Sequence, residues 1–254
     1  PRLATKWAMS SDGKKWTVDL RDDVAFHNPA YGNFTSADAA HSLEQLTAQD
    51  SLATDRRNLR AEVYSTELPS ATQLILNMGD TNPEFEFRMS TRVGNWGIMS
   101  KGQWDAEGID GLRDNPVGTG PWKWNNWRLG DSMLFDRVEG HWRKTPEFRQ
   151  LRIAFVSENS TRLAMMLVGE AHISDLPKDL HEQAMNSGMT RTTAPGSQHP
   201  LIYFFGGLYF LQPDKYQGPY PVSDVRVREA LNRAIDRAEI IDTIYGGQGK
   251  PAYF

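Results

Sequence analysis

Gly246, Gly247, Gln248, Gly249 and Lys250 form the stretch most like a phosphate-binding loop, in which backbone N–H groups cradle phosphates and a lysine reaches the terminal one. The match fails at two positions. Ile244 stands where the first glycine is required, and Pro251 where a Ser or Thr would hold magnesium. Gly118 and Gly120 flank Thr119, but Pro121 stands where a helix would have to open and aim N–H groups at a pyrophosphate, so this is a turn. His41 with Glu44, and His172 with Asp175, lie three residues apart, yet neither gives two histidines at a ligating spacing. Cysteine is absent, which removes thiolate metal sites and thiol nucleophiles. The serines occur in contexts such as FVSEN and PGSQH, with no GxSxG elbow and no SxxK. The carboxylate pairs Asp22 with Asp23 and Asp136 with Glu139 fall on loop or strand ends, where charge is solvated. No metal, cofactor or catalytic residue is expected.

Aromatic residues are what remains. Trp122 and Trp124 share one face of a predicted strand, so packing accounts for them. Trp96 and Trp104 lie in an irregular stretch where no regular element demands them. A loop tryptophan can stack on a ligand at small entropic cost, and Trp96 beside Arg92 and Asn95 is the candidate ligand-binding surface.

The elements that must carry these residues follow from pattern. Residues 5–9 and 16–20 alternate bulky and polar types around Asp12-Gly13, a hairpin. Thr35 and Asp38 open a helix running to about residue 49. Residues 62–68 and 73–78 read as a second strand pair. Residues 81–115 are either a long functional loop or short helices with connectors. Residues 116–121 (PVGTGP) are a turn-rich joint, followed by paired strands at 122–127 and 133–138 and a strand at 151–156. Residues 158–168 read as a helix ended by a left-handed Gly169. Then come a short strand at 171–174, a helix at 177–186, a buried strand at 201–205 and a Pro/Gly-rich linker at 212–221. Two helices close the chain. Asp224 caps one with Val225, Val227, Ala230, Leu231 and Ala234 inside, and Asp236 caps another with Ile240, Ile241 and Ile244 on one face. The class is mixed α/β (α+β) with at least two folding units.

Length and charge limit the partners. The chain has 254 residues, with 28 Lys+Arg against 32 Asp+Glu, a net charge of −4 and no basic stripe, which argues against nucleic acid. Arg56, Arg57 and Arg60 sit at helical spacing and read as a solvated face. The longest apolar run, residues 201–211, is broken by Gly206 and Gly207 and is too short for a bilayer. Pro1 is followed by no targeting pattern, so a signal or lipoprotein anchor is not expected within these residues, and GKPAYF ends the sequence as a piece of a longer chain would.

Five segments in order carry a family resemblance: the hairpin LATKWAMSSDGKKWTVDLRDDVAFHN, the helix start TSADAAHSL, the joint PVGTGPWKWNNWRLGDSMLFDRVEGHW, STRLAMMLVGEAHI and SDVRVREALNRAIDRAEIIDTIYGGQGKPA. Together they resemble family 5 extracellular solute-binding proteins, the peptide- and nickel-type receptors of ABC importers. The resemblance implies a partial type II periplasmic-binding-protein fold, one lobe with an inserted smaller domain. Residues 1–115 would be the inserted α+β domain, 116–220 the main part of the first lobe, and 221–254 the start of a second lobe. It further implies a binding protein at the periplasmic or extracellular face of the membrane, a monomer when complete. Such a protein takes a peptide or other small solute between its lobes and delivers it to a membrane permease. The segment 91–104 resembles one that can face the cleft, which supports Arg92, Asn95 and Trp96. Two departures stand out: a long connector, residues 26–33, carrying Tyr31, and His172 in place of an aspartate. A hydrolase with dispersed Ser, His and Asp, or a sensor of the same fold, are the alternatives.

Overall fold

Strand β1 (Ala4–Met9) turns back into β2 (Lys15–Leu20) through Ser10 to Lys14, where Asp12 accepts the Lys14 N–H at 3.1 Å. Gly13 has φ 71°, and a Cβ there would lie 2.4 Å from Thr81, so this corner requires glycine twice over. A computed structural model describes residues 3–53, 56–89, 96–192, 213–215, 218, 221–247 and 249–251. These fall into two compact units, Pro1–Phe155 and Val156–Phe254.

In the first unit, helix α1 (Ser36–Thr47) begins where the sequence places it. The Asp38 carboxylate accepts both the backbone N–H and the hydroxyl of Thr35, each at 2.8 Å. Helix α2 (Arg56–Glu62) leads into β3 (Val63–Ser70) and β4 (Gln73–Met78). The two predicted strand pairs are not separate. Antiparallel pairing of residues 15–19 with 73–77 joins them into one sheet of order β1-β2-β4-β3. Alternation then decides the core. Trp16, Val18 and Leu20 of β2 and Leu74, Leu76 and Met78 of β4 point to one face, where Ala39 and Leu43 of α1 meet them with Phe26, Phe34 and Phe85.

The arginines of α2 are not merely solvated. Arg60 donates to Thr47 O at 2.7 Å and Ala48 O at 2.5 Å, capping the carbonyl end of α1. The irregular stretch resolves toward helices: α3 (Phe85–Arg88) and α4 (Lys101–Asp114), the latter interrupted at Gly108 with φ 65°. Past the joint, β5 (Trp122–Arg128), β6 (Ser132–Arg137) and β7 (Gln150–Ala154) form a three-stranded antiparallel sheet. Trp122 packs on Phe148 at 4.8 Å and Trp124 meets Phe135 edge-on at 5.5 Å, the packing role expected of both.

In the second unit, α5 (Asn159–Leu167) ends at Gly169, φ 79°. The strand expected at 171–174 does not form. The N–H groups of Glu170 and Ala171 both bond back to Met165 O, at 2.8 and 3.0 Å, so the chain is still closing the helix where a strand would have to start. The helix expected at 177–186 is a 3₁₀ turn, Lys178–Leu180, followed by α6 (His181–Asn186). Asp224 and Asp236 cap α7 (Val225–Arg233) and α8 (Arg237–Thr243), accepting N–H groups at 2.8 and 2.9 Å. None of the apolar residues expected inside α7 is buried: Val225 is 63% and Leu231 39% exposed, and Val227 is half-buried. The strand expected at 201–205 lies outside the described residues.

Candidate functional site

The candidate residues lie just before α4, and the start of α4 is held to α1 by bonds from its backbone N–H groups to α1 side chains. Buried Ser42 on α1 donates to Asp38 O at 2.7 Å and accepts the Met99 N–H at 3.0 Å. The second Asp38 oxygen accepts the Lys101 N–H at 2.8 Å, so one buried carboxylate closes the N-termini of two helices. Ser100 caps α4 by accepting the Gln103 N–H at 3.2 Å. The Ser42 and Ser100 hydroxyls are thus engaged with main chain.

Trp96 enters from this anchored segment. It is half-buried and packed against the core of the first unit with Ile98, and its indole N–H is buried with no hydrogen-bond partner among the described residues. Arg92 and Asn95 lie outside the described residues, so their grouping with Trp96 rests on sequence. Trp104, on α4, meets the buried His41 ring edge-on at 5.1 Å. His41 Nδ1 is 3.8 Å from Glu44, and Asp175 lies 3.6 Å from Arg162. Among the described residues no three His, Asp or Glu side chains converge as metal ligands.

Sequence reasoning did not find Gln103. This fully buried amide donates to Glu107 at 2.9 Å and to Asn115 O at 2.8 Å, and accepts the Val117 N–H at 3.0 Å. The long connector is likewise pinned, because the Tyr31 hydroxyl donates to Glu107. That bond, and then the Gln103 amide, hold the Glu107 carboxyl below its ordinary range, while the Tyr31 phenol is raised. The signal was present as Ser100 followed by Gln103, a capping pattern masked by the surrounding glycines.

Two clefts lie elsewhere in this unit. A groove of about 390 Å³ runs between α1 and β3, past His41, Glu44 and Tyr64, and one of about 320 Å³ lies over Arg21, Asp22 and Asp23. Trp96 lines neither. Asp136 is held by Asn125 and Gln150, and Glu139 by Arg137, so those carboxylates serve structure.

A family model described as "Bacterial extracellular solute-binding proteins, family 5 Middle" matches residues 1–254. The Dipeptide-binding protein of Escherichia coli K12 is 24% identical over 99% of this chain and 48% of its own length. The Nickel-binding periplasmic protein of the same organism is 27% identical over 98% of this chain and 46% of its own. The chain therefore spans about half the length of the curated relatives it matches. Among solved structures, NikZ from Campylobacter jejuni in complex with Ni(L-His) superposes with a TM-score of 0.70 at 20% identity, covering all of this chain and 48% of that one. The fold is a mixed α/β portion of the type II periplasmic-binding-protein fold.

Proposed function

Since the chain belongs to the bacterial extracellular solute-binding proteins of family 5, we propose that the protein it forms part of binds a peptide or related small solute and hands it to an ABC permease. The observation that carries this reading is the family match over every residue of the chain.

In this reading residues 1–115 are the inserted smaller domain, 116–220 the main part of the first lobe and 221–254 the opening of the second. Arg92, Asn95 and Trp96 contribute to the ligand surface. The protein performs no covalent chemistry and works as a monomer at the periplasmic or outer face of the membrane. Ligand bound between lobes shifts the population toward a closed form, which the permease recognises. Dipeptides, glutathione and nickel name the relatives, and peptides lead as the ligand class.

A micromolar solute needs about −8 kcal/mol, shared in this reading between two lobes. Calorimetric titration of the same solute into the complete protein and into residues 1–254 tests it. Affinity weaker by at least about a hundredfold in the shorter chain is expected. Equal affinity in both would overturn the two-lobe reading.

A further inference from the structure

The sheet of the first unit ends at β3, which pairs with β4 and with no other described strand. An edge strand presents a row of backbone N–H and C=O groups that a further strand can take up. The register decides which side chains flank that edge. Val63 and Thr66 lie opposite the buried Met78 and Leu76, on the face that α1 covers, while Ser65 and Glu67 lie opposite Asn77 and Ile75 on the other. On that second face Glu67 accepts from Lys15 and Asn77, at 3.1 and 2.9 Å. On the α1 side the edge is open. Ala37 and Ala40, one helical turn apart on α1, carry only a methyl group, and a groove of about 390 Å³ remains between them and Val63, Tyr64 and Leu68. Tyr64 is 82% and Leu68 47% exposed.

We infer that this edge is a second ligand site, where a free extended peptide of about five residues adds to the four-stranded sheet beside β3 and lays alternate apolar side chains in the groove. Only an extended backbone pairs along a strand edge, and its period of two sends every second side chain to the same face. The two faces of β3 differ, so the matching peptide alternates apolar with polar residues. Its length follows from where β3 loses regularity. The register with β4 slips between Val63 and Ser65 and again between Glu67 and Ser70, and Pro69 has no N–H, so the usable edge is confined to residues 63–67. At about 3.4 Å per residue this is a stretch of about 17 Å. The same breaks argue against a second copy of this chain as the occupant. A stable protein interface buries about 1,200–2,000 Å², more than one short strand contact supplies, and slips and prolines at an edge keep sheets from joining. The groove volume instead falls at the small end of the range for small-ligand sites, about 300–1,000 Å³. This site goes beyond the interlobe reading and does not depend on it.

The test is backbone-amide NMR of the full chain, titrated to about 5 mM with an N-acetylated, C-amidated pentapeptide that alternates valine with threonine. A Kd of about 1 mM or tighter is expected, with shifts confined to residues 63–67 and 37–44 and with cross-strand NOEs from the peptide to β3. Two N-methylated versions of the peptide, one at its valines and one at its threonines, then report the geometry. In an added strand only one of these sets of N–H groups faces β3, so one version should bind at least about tenfold more weakly and the other should keep its affinity. Equal loss in both, loss in neither, or shifts elsewhere in the chain would overturn the inference, as would no shift at about 5 mM. The same shifts on raising the protein concentration without peptide would give the groove to a second copy and contradict it. Shifts seen with residues 1–254 but absent from the complete protein would mean that the rest of the polypeptide covers the edge, which also refutes it.

Discussion

Gln103 and Val117 are fourteen residues apart, and the Gln103 side-chain oxygen accepts the Val117 N–H at 3.0 Å in a fully buried setting. The same amide holds Asn115 O, so one side chain ties the first turn of α4 to the chain leaving its end. Gln103→Leu keeps the volume but leaves the buried Val117 N–H unpaired. A loss of about 1–3 kcal/mol is expected in urea unfolding of the first unit, the cost of one orphaned buried group. A loss under about 0.5 kcal/mol would mean that water replaces the amide.

Glu107 gives this region a pH dependence. Its carboxyl is held below the ordinary 4.5 by Tyr31 and Gln103, so its contribution to stability is complete above that value and is lost as pH falls through the folded one. Acid unfolding should therefore be shallower in Glu107→Gln than in the unaltered chain over the acidic range. Parallel curves for the two proteins would assign the bond to Tyr31 no role in stability.

Arg60 should behave as a cap. Arg60→Ala removes both bonds to the Thr47 and Ala48 carbonyls and should cost about 0.5–1.5 kcal/mol, read as a fall in melting temperature. Arg60→Lys should recover only part of this, because an ammonium cannot reproduce the planar fork. Full recovery by lysine would reduce the contact to simple charge at a helix end.

Trp96 separates packing from ligand contact. The ring is packed against the core, so Trp96→Ala should cost about 2–4 kcal/mol. Trp96→Phe keeps most of the ring and discards the unpartnered N–H, so its stability should lie within about 1 kcal/mol of the unaltered chain. Affinity of the complete protein that falls in Trp96→Phe at unchanged stability would place the indole N–H at the ligand. Unchanged affinity in Trp96→Phe would leave Trp96 as core.

Local signals were legible because neighbours in sequence decide them. Asp12-Gly13 made a hairpin, Thr35 with Asp38 opened α1, and Gly169 closed α5. Pairing of β2 with β4 was not legible, since residues 15–19 and 73–77 carry no mutual signal until both fold onto α1. Helix α4 was obscured by Gly102, Gly108 and Gly111, which weaken helical periodicity, and it is held by long-range bonds to Asp38 and Ser42. The strand expected at 171–174 failed for the opposite reason: its alternation was correct as a pattern, but the closure of α5 had already taken the N–H of its first residue, Ala171. Of the candidate site, the place of Trp96 outside any regular element was legible and its packing was not, because the core that receives it is assembled from residues far along the chain.

The most direct test of solute binding is mass spectrometry of the small molecules released on denaturing the complete protein, purified from its native host without exchange of bound ligand. The account predicts a stoichiometric solute, with a ladder of short peptides as the leading outcome and a single metal chelate as the specialised one. Empty protein that also binds no peptide, metal chelate or sugar when these are supplied would contradict it.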